Sequence, residues 1–207
     1  MAIISSTTTM YARIRQIVDR EDVAYFDDSQ LLHYTEMATD EYVQQHYNIF
    51  ETSQDARDKL QALVVNDTID IKDGVPESIT AMDDTAVYYR LLSAYVTASP
   101  NVNVKVIQVS DINAYLNDPF NKADASNPVI YMASGNIHSI GLGIIDVNVS
   151  VKYLKYTVSF TDLDAHTYEE VAQIAARRLL ATLGDPRYQF LQAELMERLT
   201  QLGGGKR

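Results

Sequence analysis

The sequence predicts an α+β fold in which N-terminal and C-terminal helices pack as a small bundle, with a β-rich middle of antiparallel hairpins forming an extension. Three observations carry this. Apolar residues recur at helical spacing near both ends of the chain. Between them, Val, Ile and Tyr alternate with polar residues in short runs broken by Gly, Pro and Asn. The chain has 207 residues, 46% apolar and 22% charged, enough for one good core or a compact core with an extended accessory element. The predicted organisation is an N-terminal helical segment over 1–66, a β-rich segment over 67–164, C-terminal helices over 165–202 completing the helical core, and a flexible tail, "GGGKR", at 203–207.

In chain order, "TTMYARIRQIVDR" (8–20) predicts a short helix with Met10, Ile14 and Ile17 along one side and Ser/Thr before it as caps. Asp28 or Ser29 is the expected cap of a second helix. From Leu31, apolar or small residues at 31, 35, 38, 42, 49, 53, 56, 60 and 63 form one stripe on a helical wheel. Two readings follow: one helix running to about Val64, or an interruption at "ETSQD" with Ser53 capping a second piece. "NDTIDIKDGVPESITAM" reads as a hairpin turned near Asp73-Gly74. "TAVYYRLLSAYVTASPNVNVKVIQV" reads as two strands about Ser99-Pro100-Asn101, although the Ala and Leu content of its first half also fits a helix. A helical turn at "SDINAYLN" leads into the loop "DPFNKADASNP", and "VIYMASGNIHSIGLGI" supplies further short strands.

Residues 147–160, "VNVSVKYLKYTVSF", are the clearest strand. Val147, Val149, Val151 and Tyr153 share one face, and a bulge near Leu154-Lys155 would bring Tyr156, Val158 and Phe160 to the same side. Thr167 and Glu170 have the spacing of a capping box for the helix that follows. Gly184 fits that helix's C-terminal cap, and Asp185-Pro186 the start of a last helix with Tyr188, Leu191, Leu195, Leu199 and Leu202 on one side.

Composition excludes several function classes. With no cysteine, the chain has no disulfide framework, thiolate nucleophile or Cys-based zinc site. No run of about 18 uncharged apolar residues is present, so no membrane span is expected. The start of the chain does not read as a secretory signal. The net charge is −11: residues 1–66 hold 11 acidic and 5 basic side chains, 67–164 hold 12 and 6, and 165–207 hold 5 and 6. Phosphate neutralisation needs clustered Lys/Arg, so specific nucleic-acid binding is not expected. An acidic surface instead keeps a protein soluble or lines a passage through which DNA slides without sticking. The 14 tyrosines suit either half-buried strands or protein contacts.

The stretch "DDSQLLHYTEMATDEYVQQHY" (27–47) places His33, Glu36 and Asp40 on one helix face, a set able to ligate a divalent metal if joined by His138 or His166. The same face continues through Gln44, Tyr47, Glu51, Asp55 and Asp58, opposite the apolar stripe. The pattern therefore reads as the polar side of an amphipathic helix, facing solvent or a lumen. His46 borders the stripe and reads as a packed or hydrogen-bonded residue. There is no nucleophile elbow, and "SGNIHSIGLG" lacks phosphate-loop spacing. The adjacent Arg177-Arg178 could contact phosphate or a partner carboxylate, but as a lone pair it reads first as surface salt-bridge formers. No catalytic, cofactor-binding or metal-binding residue is assigned.

The arrangement of an acidic helical start, a β-rich middle and "VKYLKYTVSF…HTYEEVAQIAARRLLATLGDPRYQ" resembles head–tail connector (adaptor, or ring) proteins of tailed bacteriophages, podovirus type, particularly the crAss-like group infecting Bacteroidetes. "LLHYTEMATDEYVQQHYNIFETSQDARDKLQALV" resembles their long helix region and "LNDPFNKADASNPVIYM" the loop leading back into strands, so the likeness covers most of the chain. The resemblance implies a non-enzymatic virion protein of the neck or tail, made in the host cytoplasm. It would be one of twelve copies in a homo-oligomeric ring beneath a portal protein, touching other tail or ring proteins and surrounding DNA that passes without specific binding. Glu36, Asp40, Glu51, Asp55, Asp58, Phe120 and Lys122 are the candidate assembly or lumen residues. The other readings are a small metal-assisted hydrolase and an assembly adaptor absent from virions.

Overall fold

The computed structural model describes residues 4–19, 26–50, 52–78, 88–97, 102–117, 120, 122–134, 136–143 and 147–203. They form two compact units, Met1–Leu63 with Thr157–Arg207, and Val64–Tyr156. The first is helical and the second carries the sheet, so the class is α+β. The divisions fall at Leu63/Val64 and Tyr156/Thr157 rather than at 66/67 and 164/165, because Val64–Asn66 already pair in the sheet while Phe160 and Leu163 are buried in turns that lead into the C-terminal helices.

In the helical unit, α1 (Thr7–Val18) starts at Ser6, whose hydroxyl accepts the Thr9 N–H at 3.3 Å while the Thr9 hydroxyl accepts the Ser6 N–H at 2.9 Å. Its buried face is Met10, Tyr11, Ile14, Arg15 and Val18. Val18 continues the four-residue series of 10 and 14, so Ile17 lies at its edge, half-buried. The cap of α2 (Asp28–Asn48) is Asp27, not Asp28 or Ser29: its carboxylate accepts the Gln30 N–H at 2.8 Å and the Gln30 amide oxygen accepts the Asp27 N–H at 3.2 Å. Leu31, Thr35, Ala38 and Tyr42 are buried as the periodicity requires, widened by Thr39, Val43 and His46. Thr35 and Thr39 satisfy their buried hydroxyls by donating to the carbonyls four residues back, at 2.6 and 2.9 Å.

The continuous helix to Val64 does not form. The Ser53 hydroxyl accepts the Ala56 N–H at 3.3 Å and starts α3 (Gln54–Lys59), a separate helix followed by a 3-10 turn at Gln61–Leu63. Glu51 lies outside the described residues. In α5 (Tyr168–Thr182), Val171, Ala172, Ile174, Ala175, Ala176, Leu179 and Leu180 are buried, and the helix packs against α1, α2 and α6 (Arg187–Gly203). The Thr167–Glu170 capping box is absent. Thr167 closes the 3-10 turn Ala165–Thr167 in helical geometry and donates its hydroxyl to the Asp164 carbonyl at 2.8 Å, while Glu170 pairs with Lys59. At the other end Gly184, with φ +69°, donates to Ala181 O at 3.1 Å and Asp185 donates to Leu180 O at 3.0 Å, a Schellman cap. The Asp185 carboxylate accepts the Arg187 N–H at 2.9 Å and opens α6, where Leu195 is buried and Tyr188 and Leu191 are half-buried. The side chains of Leu199 and Leu202 lie outside the described set.

The sheet unit contains β1 (Val64–Ile71), β2 (Glu77–Ser78), β3 (Tyr88–Val96), β4 (Asn103–Ile107), β5 (Val129–Ala133), β6 (Asn136–Ile140) and β7 (Val147–Lys155), in the order β1-β7-β3-β4-β5-β6-β2. The turn at Asp73-Gly74 exists, closed by a Lys72–Val75 bridge, but β2 pairs with β6 and β1 pairs with β7, so it is not a hairpin. The stretch 88–96 is strand rather than helix, and it meets β4 antiparallel at Ala94–Val104 and Tyr95–Asn103; Ser99-Pro100-Asn101 lie outside the described residues. One step contradicts the all-antiparallel expectation. β4 and β5 run parallel, Lys105 opposite Val129 through Ile107 opposite Tyr131, joined by a crossover with a 3-10 turn at Val109–Asp111 and the short helix α4 (Ile112–Asn117).

Val149, Val151 and Tyr153 of β7 are buried together with Ile69, Ile71, Ala94, Val104, Ile130 and Ile137. The strand ends at Lys155, and the expected bulge lies on β3, opposite Leu154-Lys155 and again opposite Lys152-Tyr153. Tyr156 and Val158 therefore do not rejoin the apolar face and are exposed, while Phe160 falls in a 3-10 turn of the helical unit.

Asp73 clasps the turn after β6. Its carboxylate accepts N–H groups from Gly141 (2.9 Å), Leu142 (3.1 Å) and Gly143 (2.9 Å) and the Ser139 hydroxyl (3.0 Å), while its own N–H donates to Gly143 O at 2.8 Å. Gly141 and Gly143 both have positive φ, +92° and +96°, but a Cβ on Gly141 would lie 2.8 Å from the backbone N and O of Asp124, whereas one on Gly143 meets nothing. In denaturant unfolding, Gly143→Ala is expected to cost only backbone strain, about 1–3 kcal/mol, and Gly141→Ala distinctly more. Equal losses would count against the close approach of Gly141 to the Asp124 backbone. The first residue of β1 pairs with the penultimate residue of β7, Val64 with Leu154, so the two ends of the sheet unit are neighbours. Replacing 64–156 by a short Gly/Ser linker is expected to leave a cooperatively unfolding helical unit, checked by far-ultraviolet circular dichroism and melting.

Candidate functional site

The helical unit is built around carboxylate–guanidinium and carboxylate–ammonium seams that meet α5. Glu169, in its first turn, takes Arg13 of α1 in a bidentate pair at 2.5–3.1 Å. Hydrogen bonding to that carboxylate raises the Arg13 pKa further. One residue on, Glu170 accepts Lys59 Nζ of α3 at 2.9 and 3.2 Å, and Lys59 also lies 3.3 Å from Asp55.

Beneath that pair sits His46. Its Nδ1 lies 2.9 Å from the Tyr42 carbonyl, so Nδ1 carries the proton in the neutral ring, and its Nε2 lies 3.8 Å from Glu170. The ring packs against Tyr42 with centroids 4.2 Å apart and the planes tilted by 35°. Burial pushes the His46 pKa below its ordinary value, with Lys59 adding to the shift and the Tyr42 carbonyl, Glu170 and Asp55 opposing it. Burial likewise drives the Tyr42 phenol up. Both groups are therefore neutral packing elements at ordinary pH.

The third seam has the most open geometry. Glu41 of α2 accepts Arg177 Nη2 at 2.5 and 2.6 Å and Arg178 Nε at 2.7 Å. Arg177 Nη1 donates to the side-chain oxygen of Gln192 on α6. These residues, with Ala181 and Tyr188, line a cavity of about 400 Å³. Two guanidiniums face one carboxylate. Arg177 Nε is buried without an acceptor, and Arg178 Nη1 and Nη2 have none either among the described residues. With Glu41 engaged by both arginines, what the arrangement offers is the binding of charge.

The candidates named from sequence are scattered. Glu36 and Asp40 are half-buried on α2, with Asp40 accepting from Gln44 at 2.8 Å. Asp55 and Asp58 are exposed on α3, where Asp58 accepts from Gln54 at 2.8 Å. The acidic stripe is thus split between two helices instead of running along one. Phe120 and Lys122 are exposed in the β4–β5 crossover of the sheet unit. His33 is exposed, His166 is exposed in a 3-10 turn, and His138 stacks on Tyr131 at 5.1 Å. Among the described residues no three His, Asp or Glu side chains are grouped to hold a metal. Glu41, one of the acidic residues of the 27–47 stretch, is not assigned a role from sequence because its partners Arg177 and Arg178 lie 136 and 137 positions away.

Because the folded His46 binds its proton more weakly than an unfolded histidine, stability is fully present above the ordinary value of 6.5 and is lost as pH falls below it, until the folded ring itself protonates. The slope contributed is at most about 1.4 kcal/mol per pH unit. Melting temperatures of the protein and of His46→Gln between about pH 8 and pH 5 are expected to diverge in slope only on the acid side, with the variant flatter. Parallel curves would refute the assignment.

No protein-family model matches the chain, and no curated protein matches it.

Proposed function

We propose that this chain is a structural virion protein, a subunit of a twelve-copy head–tail connector ring beneath the portal of a tailed phage, surrounding the channel used in DNA ejection. The reading begins from the resemblance to connector proteins of crAss-like phages. The observation that carries it further is the β4–β5 crossover, where Val109, Leu116 and Phe120 are 53%, 46% and 94% exposed. Burying one such side chain is worth about 1.5–3 kcal/mol, so a neighbouring copy covering this segment gains appreciable stability. Lys122, two residues on, offers a cation to the carboxylate-rich surface of that neighbour. A contact between different patches on successive copies closes into a ring when the rotation fits. The net charge of −11 supports the second part of the role, since an acidic lining lets DNA pass with little adhesion.

Mass spectrometry of purified virions is expected to find the chain at ring stoichiometry with the portal protein. Oligomers in extracts but none in mature particles would point to the assembly adaptor and overturn the virion role. Phe120→Ser is expected to raise the dissociation constant between copies about tenfold or more with an unchanged circular dichroism spectrum. Exchange of Glu36, Asp40, Asp55 and Asp58 for Lys is expected to make the assembled ring retain DNA at low salt, where the native ring releases it.

A further inference from the structure

We propose that the cavity among α2, α5 and α6 is an oxyanion site that takes a carboxylate or phosphate group. This inference is independent of the ring reading. In a chain with 28 acidic and 17 basic side chains, this one cavity holds two guanidiniums against a single carboxylate. Glu41 already uses both its oxygens on Arg177 and Arg178, and Arg177 Nη1 is taken by Gln192. What remains is a surplus of donors. Arg178 Nη1 and Nη2 and the Tyr188 hydroxyl have no partner among the described residues, and all belong to side chains that line the cavity. Arg178 is 31% exposed, enough to be reached from solvent, while Arg177 at 13% is held in place behind it.

The chemistry of the missing partner follows from the groups left over. A planar guanidinium with two adjacent free nitrogens donates to two oxygens of one carboxylate or phosphate, and a phenol nearby donates to one of the carboxylate oxygens or to a further phosphate oxygen. A cation has no place there, since the only anion present is already spent on two arginines. A neutral ligand leaves the excess positive charge uncompensated. The volume, about 400 Å³, admits a small organic acid or phosphate monoester as well as the bare ion. Glu41 is then the internal anion that holds both arginines at the cavity.

The test is titration of the full chain with sodium phosphate and, separately, with sodium citrate at constant ionic strength, followed by the side-chain Nε–Hε signals of the arginines in nitrogen-15 NMR. Saturable shifts confined to Arg177 and Arg178 are expected with at least one probe; phosphate alone identifies a tetrahedral oxyanion, and citrate a carboxylate. Arg178→Gln is expected to weaken the dissociation constant about tenfold, and Tyr188→Phe by a smaller factor. Glu41→Gln is expected to tighten it, because it removes the competing carboxylate; weakening in that variant, if it remains folded, counts against the site. Absence of saturable shifts with either probe to about 50 mM overturns the proposal, as does an unchanged constant in Arg178→Gln. Should Arg178→Gln not fold, Tyr188→Phe decides: it leaves the ion pairs intact, and an unchanged constant in it overturns the proposal.

Discussion

The pairing of Val64 with Leu154, at one end of the β1–β7 ladder, is the contact on which the rest of the molecule depends. The helical unit is discontinuous in sequence: α1, α2 and α3 come from before the sheet, α5 and α6 from after it. Its ion pairs join residues 111, 136 and 156 positions apart. Each such contact requires the intervening chain to be closed into a loop, and that entropic cost falls on whichever contact forms first. The β1–β7 ladder removes it. Eight consecutive antiparallel pairs, with Ile69, Val149 and Val151 in the apolar core, bring the two ends of the sheet unit side by side, so the helices meet across a short gap rather than a long one. The folding rate of the helical unit is then governed by non-local strand pairing, which is slow by nature.

Once the ends are close, α5 selects its neighbours by charge as well as by shape. Glu169 takes α1, Glu170 takes α3, and Arg177 with Arg178 takes α2. Successive positions on one helix thus address different partners, and a helix shifted by one turn would strand a half-buried charge, which costs more than the pair itself contributes. These seams also determine the protein's external field. In the helical unit Arg13, Arg15, Lys59, Arg177, Arg178, Arg187 and Arg198 are all engaged with carboxylates or carbonyls of their own chain. The chain holds more carboxylates than these cations can pair, so its acidic balance persists after the cations are spent.

The elements with a clean period were legible. The four-residue stripe of α2, the alternation in β7 and the glycine cap of α5 are local properties, and each appears where the residues place it. What was not legible depended on competition. Ser53 is equally at home inside an amphipathic stripe or starting a new helix, and its hydroxyl on Ala56 decides for the second. Thr167 and Glu170 have capping-box spacing, yet the local Asp164 carbonyl takes the first side chain and a tertiary partner, Lys59, takes the second. The partner of β1 is not encoded near β1: the turn at Asp73-Gly74 suggests a hairpin, but Asp73 is occupied with the Gly141–Gly143 backbone, and the strand pairs with β7 instead. For the site, adjacent arginines were visible as salt-bridge formers, but the carboxylate they share, Glu41, lies 136 positions away from Arg177.

The parallel step between β4 and β5 connects topology to the surface on which assembly is proposed. An antiparallel neighbour is reached by a turn of two residues, whereas a parallel one requires the chain to travel back along the sheet before pairing again. Residues 108–128 are that return path. A return path must be long, but nothing in sheet geometry requires it to carry large apolar side chains outward. Here it does, with Val109, Leu116 and Phe120, and its later part is turned by the Asp124 carboxylate on the N–H groups of Ser126 and Asn127. At 94% exposure the Phe120 ring buries little area within its own chain. Those exposed apolar side chains are the part of the return path that a surface supplied by another molecule would bury, which is where the proposed assembly gains its stability.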